Sequence, residues 1–475
     1  MKKSRTDFWF IFWGSFIFLT TVWFLNLSQY LVVIAFLLYI GAVSLYVNNI
    51  ALGLALGALV AFCIQTGKTY TFLMLSPGMV SPERFPEGYS ISVSLTVNHI
   101  ISILLACFIA HGVFTKKYND VKIILLDLLI FGFFFWVWLT ALFGSNMPEI
   151  STLYAILSLS ILIKYVFFRL HSSLIHKHRR VIFTIITAML LFESVVAIIQ
   201  YMYGSPLAKS IESQKYFEIF GGGATDEMEF VFRPLGTFRH TNYLAGFIAL
   251  VAPVVVALSF WKKNVLYFRI YLTALIASGL TLSRGGWIAL LPHGVMFYSQ
   301  IISASQRVML KMGLWSKIIL SSILLTLFFV VVFPRLIKSL NIYSSDISNG
   351  LGVRLAQTEN AMRLISLNPL FGVGAGMSVI EGYNLEPDGV MWSFPSPIHN
   401  IFALILVENG IPGLILYISM LSYMLFKLWA SINPRRKETT MIRGLCCTII
   451  AACIIGLIQP YDFLELILLL SLIYI

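Results

Sequence analysis

The chain has 475 residues, of which 59% are hydrophobic and only 11% are charged, and its formal net charge is +12. A soluble domain carries about 25% charged residues, so this composition excludes a large cytosolic enzyme and a disordered chain. It predicts an all-α polytopic membrane protein, in which any chemistry is confined to a few loops and to the space between helices.

Apolar runs along the chain predict about 14 membrane spans, within a range of about 12 to 14. The runs lie near 8–25, 30–47, 49–66, 97–114, 122–143, 150–168, 181–203, 242–260, 266–283, 286–303, 317–334, 411–428, 441–458 and 461–475. They divide the chain into an N-terminal transmembrane bundle (1–203), a central transmembrane region (204–334), an extracytoplasmic, partly helical loop (335–410) and C-terminal transmembrane helices (411–475).

The distribution of positive charge predicts the orientation. With the N-terminus in the cytoplasm, the short loops on that side hold about two thirds of the Lys and Arg residues, Lys164 among them. This asymmetry predicts an inner-membrane protein with both termini cytoplasmic and substantial outer loops at 67–96, 204–241 and 335–410. The basic excess is thereby explained by membrane topology, so we expect membrane lipids and no nucleic acid as partners.

Two arginines in the last outer loop lie on one predicted helix, from Gly352 to Leu367. Arg354 and Arg363 are nine residues apart, which at about 100° per residue places them on opposite faces. Glu359 lies four residues before Arg363, the spacing of an intrahelical ion pair. Arg354 has no acidic neighbour at that spacing, so it is the better candidate for binding an anion.

A histidine follows in the same loop. Ser396 is expected to cap a helix that begins at Pro397, which places His399 in the first turn. There the helix dipole disfavours imidazolium, so His399 is expected to be neutral and able to accept a proton. Gly410 and Pro412 predict that this helix breaks near Gly410.

A glycine-rich stretch, Gly372–Gly376, resembles a phosphate-binding loop only superficially. It follows Asn368 and Pro369, so a turn that brings two backbones together is the expected role.

The spacing of these motifs resembles a known family. His399 and Asn400, then nine residues, then Gly410-Ile411-Pro412-Gly413 match the pattern H-[NSQ]-x9-G-x-x-G, which resembles the signature of the O-antigen ligase and polymerase superfamily. Residues 236–246, 283–287 and 368–374 are similar to other recurring patterns of that superfamily. The resemblance covers residues 236–430, and the earlier spans match only in hydrophobicity.

The resemblance implies a GT-C-like, metal-independent and cofactor-free glycosyltransferase that uses an undecaprenyl-diphosphate-linked glycan. The acceptor is lipid A-core for a ligase, another lipid-linked glycan for a polymerase, and a protein for an oligosaccharyltransferase. The histidine motif favours a ligase-like enzyme and leaves the others open. A polysaccharide transporter or flippase is the alternative from another class, but the sequence shows none of the inverted repeats typical of transporters.

Transfer from a lipid diphosphate requires a base for the acceptor hydroxyl and positive charge for the departing diphosphate. Without a metal ion, arginines supply that charge. We therefore predict His399 as the base or acceptor-positioning residue, and Arg284 and Arg354 as the groups that hold the diphosphate. The predicted substrate-binding residues are Arg239, Arg363 and Asn400. The superfamily's R-x3-L pattern is met by Arg363 with Leu367, whereas Arg284 is followed at that spacing by Ile288.

Overall fold

The predicted apolar runs form helices in the computed structural model of the chain. The structure describes residues 3–25, 27–64, 67–74, 90–118, 122–205, 232–238, 240–298, 300, 350–386, 389–393, 396–433, 435, 438–459 and 463–474. The predicted span at 317–334, most of the loop at 204–241 and the first part of the loop at 335–410 lie outside the described residues.

Helices dominate the described part of the chain. They are α1 (Lys3–Phe24), α2 (Gln29–Tyr46), α3 (Ile50–Val60), α4 (Val97–Phe114), α5 (Leu125–Phe143), α6 (Pro148–Leu170), α7 (Ser172–Lys177), α8 (Arg179–Tyr203), α9 (Thr241–Lys262), α10 (Val265–Thr281), α11 (Arg284–Ala289), α12 (Leu291–Met296), α13 (Gly350–Leu367), α14 (Ser378–Leu385), α15 (Val390–Ser393), α16 (Ile401–Ala430), α17 (Thr439–Ile458) and α18 (Leu464–Ser471). Among them α2, α4, α5, α6, α8, α9, α16 and α17 are long and apolar enough to cross a bilayer. The prediction of a helical, multi-spanning membrane protein is confirmed, while the total number of spans and the GT-C-like arrangement stay predictions.

The described bundle is centred on α9, whose side chains are buried almost continuously from Leu244 to Ser259. It packs against α8, α10 and α17. Because α9 is enclosed on all sides, its N-terminal residue lies at the end of the bundle interior and not on the lipid-facing rim.

Two features differ from the predicted spans. The segment predicted as an outer loop, 67–96, contains a β-hairpin, in which β1 (Gly67–Met74) pairs antiparallel with β2 (Ser90–Thr96). The span predicted at 286–303 begins as two short helices, α11 and α12, joined at Leu290. Pro292 explains the interruption, because it has no N–H to donate to the carbonyl of Ile288 and so favours a new helix start.

Lys164 was assigned to a cytoplasmic loop, and that assignment is wrong. It lies within α6 and is fully buried. Its ammonium donates to Glu465 Oε1 of α18 at 2.9 Å and to Asn98 Oδ1 of α4, and Asn98 Nδ2 donates to Glu465 Oε2 at 3.1 Å. A buried charge requires such a compensated partner, so Lys164 joins three helices and does not act as a topology signal.

The predicted break at Gly410 is confirmed. The backbone of Gly410 has φ 65° and ψ −175°, which interrupts α16. In an unbroken helix, Ile411 N would donate to Val407 O, and Glu408 O would accept from residue 412, which here is proline. The break therefore withdraws the donors from two carbonyl groups and the acceptor from one amide, and other partners must replace them.

The glycine segment, residues 372–376, supplies most of these partners. Val373 N donates to Val407 O at 2.8 Å, and Gly374 N donates to Glu408 O at 3.0 Å. Ile411 N donates to Pro369 O at 2.9 Å, just before the segment. The prediction that this segment brings two backbones together is confirmed.

Glycine is required at both sides of this contact. A Cβ on Gly372 would overlap the carbonyl oxygen of Val407, and a Cβ on Gly410 would overlap that of Leu370. Both glycines also have positive φ angles, which L-residues with a side chain adopt only at a cost.

Replacing Gly410 with Ala should therefore destabilise the protein. Strain at a positive φ costs about 1–3 kcal/mol, and the overlap with the Leu370 carbonyl adds to it. The thermal unfolding midpoint of Gly410→Ala in detergent should lie several degrees below that of the wild type. Gly279→Ala is the matched control, since Gly279 lies in α10 with no atom within 4 Å of the added methyl group. Equal midpoints for the two variants would contradict the assigned role of the break.

Candidate functional site

The start of α16 positions His399, although not as predicted. The capping residue is Asn400, whose Oδ1 accepts from Phe402 N at 2.9 Å and Ala403 N at 3.1 Å. The predicted cap at Ser396 is wrong, because the hydroxyl of Ser396 is instead engaged by Gln357 Nε2 at 2.9 Å. His399 thus lies immediately before the helix cap, and the carboxamide oxygen of Asn400 is used for capping.

A hydrogen bond from α13 determines which ring nitrogen of His399 carries the proton. His399 Nδ1 lies 2.7 Å from Gln357 Oε1. The carboxamide is oriented by its other end, since Nε2 contacts both the hydroxyl and the carbonyl oxygen of Ser396, and a carbonyl oxygen only accepts. Gln357 Oε1 is therefore the acceptor and Nδ1 carries the proton. The remaining nitrogen, Nε2, is the atom that can take a proton from a substrate.

The surroundings of His399 favour its neutral form. Burial, then the positive charge of Arg354 and a smaller electrostatic contribution from His240, lower the pKa of His399 to about 4. The expectation of a neutral imidazole agrees with this direction, but the first cause is desolvation and not the position within a helix.

The structure separates the two arginines of α13. Arg354 lies close enough to His399 to interact electrostatically with it. Arg363 donates to Glu359 at 2.9 Å and also to Glu386, so the predicted ion pair with Glu359 is confirmed. Arg354 thus belongs to the surroundings of His399, while Arg363 forms ion pairs at an exposed position.

Arg284 is the first residue of α11 and is exposed, after the capping residue Ser283. The next residue, Gly285, packs on Ile458 of α17, while Gly456 packs on Ile401 of α16. Residues 456 and 458 project from nearly opposite sides of a helix. The structure therefore places Arg284 and His399 at the same end of the bundle, on either side of the end of α17.

Below Arg284 an apolar groove runs along the membrane part of the bundle. Ile288, Leu291 and Val295 are exposed and line it together with Ile450, Ile454 and Trp429. Its volume is about 490 Å³. An exposed guanidinium above an apolar groove is an arrangement suited to a lipid with an anionic head.

Arg239 lies outside the described residues, but its neighbours show how this region is built. His240 caps α9, because its Nδ1 accepts from Asn242 N at 3.0 Å. Arg233 is buried and donates to Thr281 O at 2.7 Å and to Asn242 Oδ1 at 3.0 Å. The N-terminal end of α9 is thereby tied to the end of α10, on the side that faces His399.

Sequence reasoning missed Gln357 and His240. Gln357 follows Arg354 by three residues, so helical spacing alone would have placed it on the same face as that arginine. His240 directly follows Arg239 within one of the motif stretches. Recognising it as the capping residue of α9 would have placed its side chain at the start of that helix.

The site combines one neutral imidazole with positive charge. Arg354 contributes charge near His399, and α9 and α16 both begin there, with the positive ends of their dipoles. Among the residues that the structure describes, no three His, Cys, Asp or Glu side chains are grouped closely enough to hold a metal ion. The arrangement is suited to an anionic group beside a hydroxyl that loses a proton.

Part of the chain matches a known family. Residues 270–418 match the family model described as O-Antigen ligase. The matched range contains Arg284, Arg354, Arg363, His399 and Asn400, while Arg239 precedes it. No curated protein matches the chain. The predicted resemblance to this family is confirmed over residues 270–418.

The titration of His399 can be measured directly, because diethyl pyrocarbonate modifies only neutral imidazole. Since the pKa of His399 is lowered to about 4, mass spectrometry should show His399 modified at its full rate down to about pH 5. Arg354→Ala removes a positive charge, which should raise that pKa and slow the modification at pH 5.

Arg363→Ala is the control, because it removes the same charge from the same helix at a residue paired with two glutamates. The pH dependence in this variant should match that of the wild type. Identical profiles for Arg354→Ala and the wild type would contradict the assigned electrostatics.

Proposed function

We propose, since residues 270–418 match the O-antigen ligase family model, that the chain is a GT-C-like glycosyltransferase of the inner membrane, with both termini cytoplasmic. It moves a glycan from undecaprenyl diphosphate to an acceptor hydroxyl on the outer face of the cytoplasmic membrane. The observation that carries the proposal is the hydrogen bond between Gln357 and His399, which leaves Nε2 of a neutral imidazole as a proton acceptor beside Arg354.

In the proposed reaction, the acceptor oxygen attacks C1 of the donor sugar while His399 Nε2 takes its proton. The bond between C1 and the diphosphate oxygen breaks, and its electron pair leaves with the undecaprenyl diphosphate. Negative charge grows on that diphosphate in the transition state, where Arg354 and Arg284 stabilise it. Gln357 stabilises the transient imidazolium by continuing to accept from Nδ1.

Donor binding should also improve His399 as a base. An imidazole with a pKa of about 4 is neutral at pH 7 but weakly basic, whereas a general base works best when its pKa is near the working pH. The diphosphate brings negative charge next to Arg354 and offsets the field that lowers the pKa of His399. The base is therefore strengthened when the donor is in place.

The apolar groove below Arg284 supports a lipid-linked donor. A polyprenyl diphosphate has an anionic head and a long apolar chain, and Arg284 stands directly above exposed Ile288 and Leu291. The polyprenyl chain would lie along the groove, and the diphosphate would lie at the outer face of the cytoplasmic membrane.

The function is tested with His399→Ala and Arg354→Ala, at equal protein levels in the membrane. Both should lose glycan transfer from the lipid diphosphate, and the loss of a general base should reduce the rate by about 10²–10⁴-fold. Glu359→Ala is the control, because Glu359 lies on α13 but is exposed and paired with Arg363. Full activity in His399→Ala would remove the assignment of the base.

The acceptor is identified by the product. A ligase yields glycan capped onto lipid A-core, an O-antigen, capsular or exopolysaccharide polymerase yields a longer lipid-linked chain, and an oligosaccharyltransferase yields a modified protein. We propose the ligase-like reaction, which the spacing of the histidine motif favours. A lengthened lipid-linked glycan as the main product would instead assign the polymerase reaction.

A further inference from the structure

A second polar cavity lies at the opposite end of the bundle from His399. It is formed where the turn between α2 and α3 meets the end of α4 and the junction of α6 and α7, and its volume is about 760 Å³. At the His399 end, α6 begins next to the glycine segment, where Ser151 Oγ donates to Ala375 O at 3.0 Å. Since α6 has 23 residues, its other end lies about 35 Å away, so the cavity is separate from the catalytic site.

One wall of this cavity is polar and positively charged. Lys117 lines it, with its ammonium 5.6 Å from the ring centre of Phe108. His171 Nδ1 donates to Phe167 O at 2.9 Å, so its Nε2 accepts from the hydroxyl of Tyr118 at 3.2 Å. The hydrogen bond between Tyr118 and His171 holds this wall in a fixed geometry, and Lys117 lies beside it.

The turn between α2 and α3 contributes further donors. Asn48 and Asn49 both line the cavity. Asn49 Oδ1 accepts from Leu52 N at 2.9 Å to cap α3, so the group that it can offer a ligand is its NH₂ donor. No carboxylate is among the described residues that line the cavity. The polar wall therefore favours an anion.

The other wall is apolar and opens to the membrane. Leu45 and Ile50 line the cavity and are 83% and 63% exposed, at the ends of α2 and α3 that are joined by the turn. Large apolar side chains with this exposure in a membrane protein face lipid. A free inorganic anion has no use for such a wall, whereas a lipid has an apolar part that contacts it.

We propose that this cavity binds the phosphodiester headgroup of an anionic phospholipid from the adjacent leaflet. Lys117 neutralises the single negative charge, the carboxamide groups donate to its oxygens, and the acyl chains lie along Leu45 and Ile50. The cavity volume of about 760 Å³ is within the range of about 300–1,000 Å³ that is usual for small-molecule sites. Basic pockets between membrane helices bind lipid headgroups in this way.

Native mass spectrometry of the full-length protein in detergent tests the proposal. Phosphatidylglycerol and phosphatidylcholine with identical acyl chains are added separately, and the affinity for the first bound lipid is compared. The wild type should prefer phosphatidylglycerol. Lys117→Ala should weaken phosphatidylglycerol binding by about five-fold, the effect of one lysine near an anionic headgroup, and leave phosphatidylcholine binding unchanged.

Lys177→Ala is the matched control, because Lys177 is an exposed lysine at the end of α7, at the same end of the bundle but outside the cavity. It should bind phosphatidylglycerol like the wild type. An equal loss in both variants would show a diffuse surface effect and overturn the proposal. Displacement of the lipid by millimolar inorganic phosphate would assign a free-anion site instead and would also overturn it. Because binding is measured without glycan transfer, the result does not depend on the proposed catalytic function.

Discussion

The interruption of α16 at Gly410 is the constraint on which the geometry around His399 depends. A helix broken inside a membrane protein exposes backbone groups that lipid cannot satisfy. Here each of them has a partner, since residues 369–374 supply two donors and one acceptor, and Trp136 donates to the Asn409 carbonyl at 2.8 Å. The loop that carries α13 is thereby bonded to the membrane helix that carries His399, so Gln357 and Arg354 are held at a fixed distance from it.

The catalytic proposal follows from a balance of solvation and charge around one imidazole. Burial and the nearby positive charge of Arg354 make protonation of His399 unfavourable, while Gln357 decides which nitrogen is available. An anion that binds beside Arg354 offsets its positive charge. This raises the pKa of His399 and requires no movement of the protein. In the proposed mechanism, the arginine that lowers the pKa of His399 in the empty site also binds the anion that raises it again.

Local sequence patterns predicted part of this arrangement. The break at Gly410, the pair of Glu359 with Arg363 and the close approach of the glycine segment all depend on residues within a few positions, where glycine, proline and helical spacing act directly. The cap of α16 was misjudged because Ser396 is engaged by Gln357, 39 residues earlier in the chain. A competitor at that separation leaves no local signal.

Other parts of the structure escaped prediction for the same reason. Lys164 resembled a loop cation, since its partner Glu465 is 301 residues away. The β-hairpin formed by β1 and β2 depends on pairing across an outer loop that hydropathy marks only as non-spanning. For the site, the types of residue were predictable from the chemistry, whereas the contact of Gln357 with His399 required the assembled helices.

The triad of Asn98, Lys164 and Glu465 has a consequence for biosynthesis. During translation, the ammonium group of Lys164 enters the bilayer long before the ribosome reaches residue 465, so it waits for its counter-charge. The first half of the chain can then complete its packing only when α18 arrives. Correct assembly is in this way coupled to synthesis of the last described helix, and a chain that stops early keeps an uncompensated cation that quality-control proteases can recognise.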